Sequence, residues 1–331
     1  MSGPNGALPH SEFGTFGANC GLPSCSMKVL VPDGGQRSEL EPLPEAVEVV
    51  LDPTPDVEFA VLNFGAAQRL PQLFAAMPRL RVVQSLSAGV DWLLPDVPQG
   101  VIVCKAVGVH DGPVAEWVVA AILTMQRRLP EFIESQRLTK WDRSPIENTP
   151  VDDLEGQVVV VLGHGSIGRT LATRLAPFGV RVIGVAQHPR PDARPASELH
   201  TLLPQADVVV NLLPLTTTTE RLVDRGFLDR LKTGALFVNA GRGKTVDTDA
   251  LLGALRSGRI RAALDVTDPE PLPDGHPLWH APNILITPHI AGSTARWISR
   301  GYRFAGDQVR RYVAGEPLLG VLAGDPNPAR A

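Results

Sequence analysis

Short, uniformly apolar runs punctuate this chain, and helical stripes separate them. MKVLV (27–31), FAVLN (59–63), LRVVQSL (80–86) and VIVC (101–104) form a first group. Apolar runs this short, without polar alternation, predict parallel strands covered on both faces. In DGPVAEWVVAAILTMQRRLP, Val114, Trp117, Val118, Ala121, Ile122 and Met125 recur at steps of three and four. That stripe predicts one amphipathic helix ending near Pro130. The stretch 145–150 is polar and proline-rich and predicts a crossing at a domain edge. A second series starts at Val158: VVVVL, VRVIGV, ADVVVNLL, ALFVNA, AALDV and ILIT. Residues 293–313 read as a closing helix, and the segment from Gly315 as a Pro/Gly-rich tail. Strands alternating with helices predict an α/β fold with parallel sheets. Two such series predict two domains, Rossmann-like or flavodoxin-like in their strand–helix alternation.

The second series carries GHGSIG, residues 163–168. It follows five apolar residues and opens a helix whose Ile167, Leu171 and Leu175 recur every fourth position. In that context G-x-G-x-x-G is a dinucleotide fingerprint. Gly163 permits the tight turn, Gly165 lets backbone approach a pyrophosphate, and Gly168 lets helix and strand pack closely. His164, Ser166 and Ile167 complete the turn, and the helix N-terminus offers unpaired N–H groups to phosphate. A carboxylate that accepts from the ribose 2′-hydroxyl of NAD is expected at the end of the next strand. Here that end reads Ala186, Gln187, His188, Pro189 and Arg190. Ala186 removes the repulsion of a 2′-phosphate, and Arg190, with His188 or Arg194, can donate to one. The chain therefore favours NADP, with NAD as the alternative.

Composition narrows the partners. The net charge of -4 gives no reason to propose nucleic acid or an acidic membrane surface. No apolar run is long enough to suggest a membrane span. Cys20, Cys25 and Cys104 form neither a disulfide framework nor a zinc pattern, and no metal site is expected. The Gly/Pro/Ser-rich leader, residues 1–26, lacks the basic start and apolar stretch of a signal peptide and reads as a flexible tail. A cytoplasmic location follows by default.

Three further stretches each follow a predicted strand: FVNAGRGKTVDTDAL, ALDVTDPEPLP and LITPHIAGST. Carboxyl ends of strands border the ligand crevice in such sheets, so Arg242, Glu270 and His289 converge on one edge. At this point the chain resembles the D-isomer-specific 2-hydroxyacid dehydrogenase family, in its glyoxylate/hydroxypyruvate reductase-like branch. The resemblance rests on SLSAGVDWL, GHGSIG, NLLPLTTTT, VNAGRG, LDVTDPEP and TPHIAGST, in family order between about residues 27 and 313. It implies that Arg242, Glu270 and His289 are the catalytic residues. A guanidinium suits the planar carboxylate of a 2-oxo acid. An imidazolium suits protonation of the developing alkoxide, and a carboxylate on its other nitrogen fixes the tautomer. The resemblance also places the substrate carboxylate on the SAGVD loop, at Ser87, Ala88 and Gly89. It lines the cofactor with Leu213, Pro214, Thr216, Ala240 and Asp265, the last accepting from the nicotinamide amide.

The same resemblance implies a discontinuous substrate domain, residues 27–112 plus 289–320, around a dinucleotide-binding domain at 113–288. It implies a homodimer built around the helix from Val114 and the arm after it, with Trp141 as an anchor or reaching the partner's site. The expected reaction interconverts a small 2-oxo acid and its D-2-hydroxy acid. Arg69 is the one basic residue of LNFGAAQRL, which disfavours a phosphorylated substrate such as phosphoglycerate. TPH in place of a glutamine-bearing stretch disfavours formate. A dehydrogenase for another substrate such as phosphite shares the triad, and a dinucleotide-sensing corepressor of the same fold is the non-enzymatic alternative.

Overall fold

The computed structural model describes residues 26–31, 38–148, 152–188 and 190–322. The leader reading, with Cys20 and Cys25, falls almost wholly outside the described residues. Five strands form one parallel sheet in the order β2-β1-β3-β4-β5. They are β1 (Met27–Leu30), β2 (Val47–Val50), β3 (Val57–Leu62), β4 (Val82–Ser85) and β5 (Ile102–Cys104). Seven more form a second parallel sheet in the order β12-β11-β10-β9-β6-β7-β8. These are β6 (Val158–Leu162), β7 (Arg181–Ala186), β8 (Arg194–Pro195), β9 (Val208–Asn211), β10 (Leu236–Asn239), β11 (Arg261–Leu264) and β12 (Ile284–Ile286).

The apolar runs become the inner strands because both their faces are covered. All five residues of β6 are buried. Val160 packs with Phe237, Leu251 and Leu255 on one side of the large sheet. Val159 and Val161 pack with Val118, Ile122 and Leu171 on the other. Fully burying a side chain of this size contributes about 1.5–3 kcal/mol, so β6 anchors the sheet from which the glycine turn emerges. Chain order reverses between β6 and β9, which makes their carboxyl ends the topological switch point. The helix Trp297–Val313 returns to the small sheet, burying Tyr302, Ala305 and Val309 against Val29, Phe59 and Val82.

Three sequence expectations are corrected, and one strand, β2, had no sequence expectation. Strand β2, whose burial alternates around the exposed Glu48, sits at the sheet edge and lacks the continuous apolar run of an inner strand. Pro130 does not end the long helix. That helix spans Asp111–Gln126, Arg128 turns left-handed at φ 53°, and Pro130 lies in the first turn of a new helix, Leu129–Arg137. Proline is tolerated there because first-turn N–H groups have no helical partner. The closing helix begins at Trp297 rather than Ser293. Residues 315–322 are not a free tail. Buried Gln308 donates to the Leu319 carbonyl (2.8 Å) and to Gln84 Oε1 (2.9 Å), while Leu319 N–H donates back to Gln308 (2.9 Å). Among the described residues no helix is long and apolar enough to cross a membrane.

Candidate active site

The three glycines of the turn each meet the demand set by their position. Gly163 has φ +85°, and a Cβ there would lie 2.8 Å from the Leu212 carbonyl oxygen. A Cβ on Gly168 would lie 3.0 Å from the Gly163 oxygen, which is the close helix–strand approach. Gly165 is different, because a Cβ there would meet nothing within 4 Å. Its open side, at the N-terminus of the helix Ser166–Leu175, is a cradle into which a pyrophosphate fits. The remaining turn residues divide. Ile167 packs into the core, and Ser166 Oγ donates to Asp111. The His164 ring is buried beneath β7, where a Cβ on Gly184 would come within 2.3 Å of its Cγ. Burial pushes the His164 pKa down, so the ring is neutral, and its Nδ1 is buried without a partner.

At the end of β7, Gln187 and His188 are exposed. Arg190 Nη2 donates to the His164 carbonyl (2.5 Å). Sequence reasoning missed Asp192, whose carboxylate lies 4.0 Å from Arg190, 3.9 Å from Arg169 and 3.8 Å from His164. A carboxylate in the next turn thus sits among the basic groups, and Arg169 is one of them. Arg169 lies on the helix after the glycine turn and Asp192 in the turn after β7, so no local spacing signals this cluster.

Across the switch point, Leu213 N–H donates to Asn211 Oδ1 (3.2 Å) and Ala240 N–H to the Asn211 carbonyl (3.1 Å). Pro214 and Thr216 belong to a turn tied by Thr219 Oγ1, which donates to the Pro214 carbonyl (2.6 Å). Beneath them lies a buried polar network that sequence reasoning also missed. Asn211 donates to Asn239 Oδ1 (3.0 Å) and Thr245 Oγ1 (2.7 Å), and Thr245 donates to the Arg242 carbonyl (2.6 Å). Asparagine closing an otherwise apolar strand, in VVVN and LFVN, was the available signal. Gly243 completes the support, because a Cβ there would fall 1.8 Å from the Thr267 carbonyl oxygen. The Arg242 loop therefore rests directly on the loop that carries Glu270.

His289 has a left-handed backbone at φ 54°, a strained conformation for a residue with a Cβ that concentrates at functional sites. Its N–H donates to the Asp265 carbonyl (2.7 Å). The Asp265 carboxylate, buried, accepts from Thr287 Oγ1 (2.6 Å), Ile290 N–H (2.8 Å) and Ala291 N–H (2.9 Å). It thus moulds the turn that presents the imidazole, a part the sequence reading did not give it. His289 Nδ1 lies 2.5 Å from Glu270 Oε1. That bond, and then the Glu270 charge, raise the imidazole pKa against the opposing effects of burial and of Arg242. With Nδ1 engaged, Nε2 is the nitrogen free to exchange a proton.

The SAGVD loop and Arg242 meet from opposite sheets. Arg242 Nε donates to Asp91 Oδ1 (3.0 Å), and its Nη1 to the Gly241 carbonyl (2.8 Å). Its Nη2 lies where a Gly89 Cβ would be, 1.2 Å from the ideal position. Ser87 N–H is turned to Ser85 Oγ (3.0 Å), which fixes the bend before Ala88. A guanidinium, a glycine backbone and a paired imidazole thus come together at the carboxyl edges of both sheets. Among the described residues no group of three or more His, Cys, Asp or Glu side chains is placed to hold a metal ion.

Residues 119–291 match the family model described as D-isomer specific 2-hydroxyacid dehydrogenase, NAD binding domain. Human glyoxylate reductase/hydroxypyruvate reductase is 37% identical over 261 residues, covering 76% of this chain and 79% of that protein. A D-isomer specific 2-hydroxyacid dehydrogenase from Xanthobacter autotrophicus Py2, solved with NADPH and MES, superposes with TM-score 0.76 at 32% identity, covering 91% and 98% of the two chains. The NADPH-dependent glyoxylate/hydroxypyruvate reductase from Sinorhizobium meliloti, solved with NADP and sulfate, gives TM-score 0.78 at 27% identity, with 90% and 98% covered.

Proposed function

The chain belongs to the D-isomer-specific 2-hydroxyacid dehydrogenases, and from that premise we propose that it reduces a small unphosphorylated 2-oxo acid to the D-2-hydroxy acid, preferring NADPH. It is an NAD(P)-dependent oxidoreductase acting on CH–OH donors. The observation that carries the residue assignment is the meeting of Arg242 with Gly89 on one side and the Glu270–His289 pair on the other.

In this reading the open cradle at Gly165, with Ser166 and Ile167, holds the pyrophosphate, and Arg190 with Arg169 faces the adenosine ribose. Leu213, Pro214, Thr216 and Ala240 line the path to the reacting edge. Bound there, the nicotinamide supplies or accepts the hydride. The chain's own residues do the rest. Backbone N–H groups at Ala88 and Gly89 hold the substrate carboxylate, which displaces Asp91 from Arg242 and is clamped by the guanidinium. Arg242 also polarises the carbonyl. His289 Nε2 donates its proton to the nascent alkoxide, and Glu270 stabilises the imidazolium until that moment. In oxidation neutral His289 takes the proton back from the hydroxyl. The two domains divide near Gly112 and Pro288, and their closure excludes water from the cleft. A homodimer and a cytoplasmic location complete the reading.

The test is oxidation of NADPH and NADH, followed by absorbance, against glyoxylate, hydroxypyruvate, pyruvate, phenylpyruvate and 2-oxoisocaproate. His289→Ala is the control. Turnover favouring NADPH and lowered about 10²–10⁴-fold in the control is expected. Cofactor binding with no turnover on any of these acids would sink the reading.

A further inference from the structure

Two successive peptides of the substrate loop are held by the segment between β5 and the helix Asp111–Gln126. His110 Nε2–H donates to the Leu86 carbonyl (2.9 Å), and Ala106 N–H donates to the Ser87 carbonyl (3.0 Å). The acceptor is a carbonyl oxygen, so this ring nitrogen carries the proton. The Leu86–Ser87 peptide is engaged at its other end as well, because Ser87 N–H donates to Ser85 Oγ (3.0 Å). In a planar trans peptide the C=O and N–H point in opposite directions. Pinning the Ser87 carbonyl therefore turns Ala88 N–H, the far end of the same peptide, away from Ala106. That N–H and the one on Gly89 are the groups read above as holding the substrate carboxylate.

His110 is half-buried and is itself held from several sides. Its ring centroid lies 5.6 Å from that of Trp297, with the planes at 36°. The chain after His289 passes so close that a Cβ on Gly292 would lie 3.0 Å from His110 Nδ1. The helix that Trp297 opens also backs the loop, since a Cβ on Gly301 would lie 3.3 Å from Leu86 Cδ2. Of the residues flanking His110, Val109 accepts at its carbonyl from Arg300 Nε (3.1 Å), and Asp111 accepts from Ser166 at the glycine turn. One imidazole thus refers the substrate loop both to the helix Trp297–Val313 and to the turn read as the cofactor cradle. Resting on the reductase reading above, we propose that His110 is a positioning residue for the substrate: it pins the Leu86–Ser87 peptide and so aims the Ala88 and Gly89 N–H groups at the carboxylate of the 2-oxo acid. In this role it moves no proton. The carboxylate is the same group before and during hydride transfer, so loss of the pin should fall on KM and spare kcat.

The experiment compares the full chain with His110→Phe and His110→Gln, using the cofactor and the acid of the panel above that the wild type turns over fastest. Phenylalanine keeps a ring against Trp297 and removes the donor. Glutamine removes the ring and keeps a donor, because its amide nitrogen stands as many bonds from Cβ as Nε2 does. His110→Phe should raise the KM for the acid about three- to tenfold, the scale of one hydrogen bond. Its kcat, and the cofactor Kd read from the cofactor's own fluorescence, should stay within about twofold. His110→Gln should keep a KM near that of the wild type. Should the larger ring not fit beside Gly292, His110→Ala takes its place with the same expectation. A KM unmoved by loss of the donor, or raised equally by His110→Gln, would overturn the proposal while leaving the reductase reading standing. So would a fall of kcat and melting temperature together in both variants, the mark of a packing residue. Silence of the wild type with every acid would overturn the reductase reading and the proposal with it.

Discussion

In the proposed reduction His289 must stay protonated until the alkoxide forms, and the contact with Glu270 favours that. Its carboxylate on Nδ1 lifts the His289 pKa above the ordinary value of 6.5. Reduction needs the imidazolium, so kcat/KM for reduction should hold above that pH and decline only as pH rises through the raised pKa. Oxidation needs the neutral ring, so its profile should rise over the same range. Glu270→Gln removes the larger raising influences, and both limbs should then move to lower pH, besides a loss of rate. Limbs that stay in place would mean that Glu270 does not set the imidazole pKa. Gly89 offers a second test. An added Cβ would overlap Arg242 Nη2, a flexible side-chain end rather than backbone. Gly89→Ala should therefore fold with a melting temperature close to wild type yet lose about 10²-fold in kcat/KM, the scale for a misplaced positioning group. A Tm that fell together with activity would instead make Gly89 a folding glycine.

The strand-turn-helix from β6 to β7 was legible because each of its demands is local. Continuous valines, a fixed glycine spacing and an i, i+4 stripe all lie within one stretch of chain. The convergence of Arg242, Glu270 and His289 on one edge was legible because TPH, DPEP and AGRG each close a strand. What escaped was non-local: Asp91 on Arg242, Asp111 on Ser166, and Asp192 facing Arg169 and Arg190. Such pairs depend on which loops the sheet order brings together. The edge strands β2 and β8 escaped because partial exposure breaks the apolar run, and β8 even contains Pro195, which an edge tolerates. The β7 turn bears directly on the cofactor. If Arg190 donates to a 2′-phosphate, Arg190→Ala should raise the KM for NADPH at least about tenfold, the lower end for a hydrogen bond to a charged group. The KM for NADH should move much less. Equal rises for both would assign Arg190 to the other bond it makes, the one holding the His164 carbonyl.

At the scale of the whole molecule, the arm after the helix Asp111–Gln126 stands apart from the core. Leu129, Ile133 and Leu138 are 43%, 49% and 54% exposed, and Trp141 is 97% exposed. No other stretch of this length among the described residues leaves four large apolar side chains so bare, and grouped apolar exposure marks an interaction surface. A stable interface buries about 1,200–2,000 Å² in total. Four side chains do not reach that, so the neighbouring long helix, whose Trp117 and Val119 are only partly buried, has to contribute. In the proposed homodimer, a second copy related by a two-fold axis would satisfy both requirements if each arm covered the other protomer's helix. Sedimentation equilibrium should accordingly return twice the chain mass of 35.4 kDa. Ile133→Glu, which places a charge in this exposed apolar group, should shift the equilibrium to monomer without altering the far-ultraviolet circular dichroism. Trp141→Ala then distinguishes an anchor from a side chain that reaches the partner's cleft. An anchor weakens the dimer and leaves KM of the residual dimer alone, whereas a reaching side chain changes KM at concentrations where the dimer is intact. A wild-type monomer would remove the basis for both roles and leave the arm's exposed side chains to a different partner.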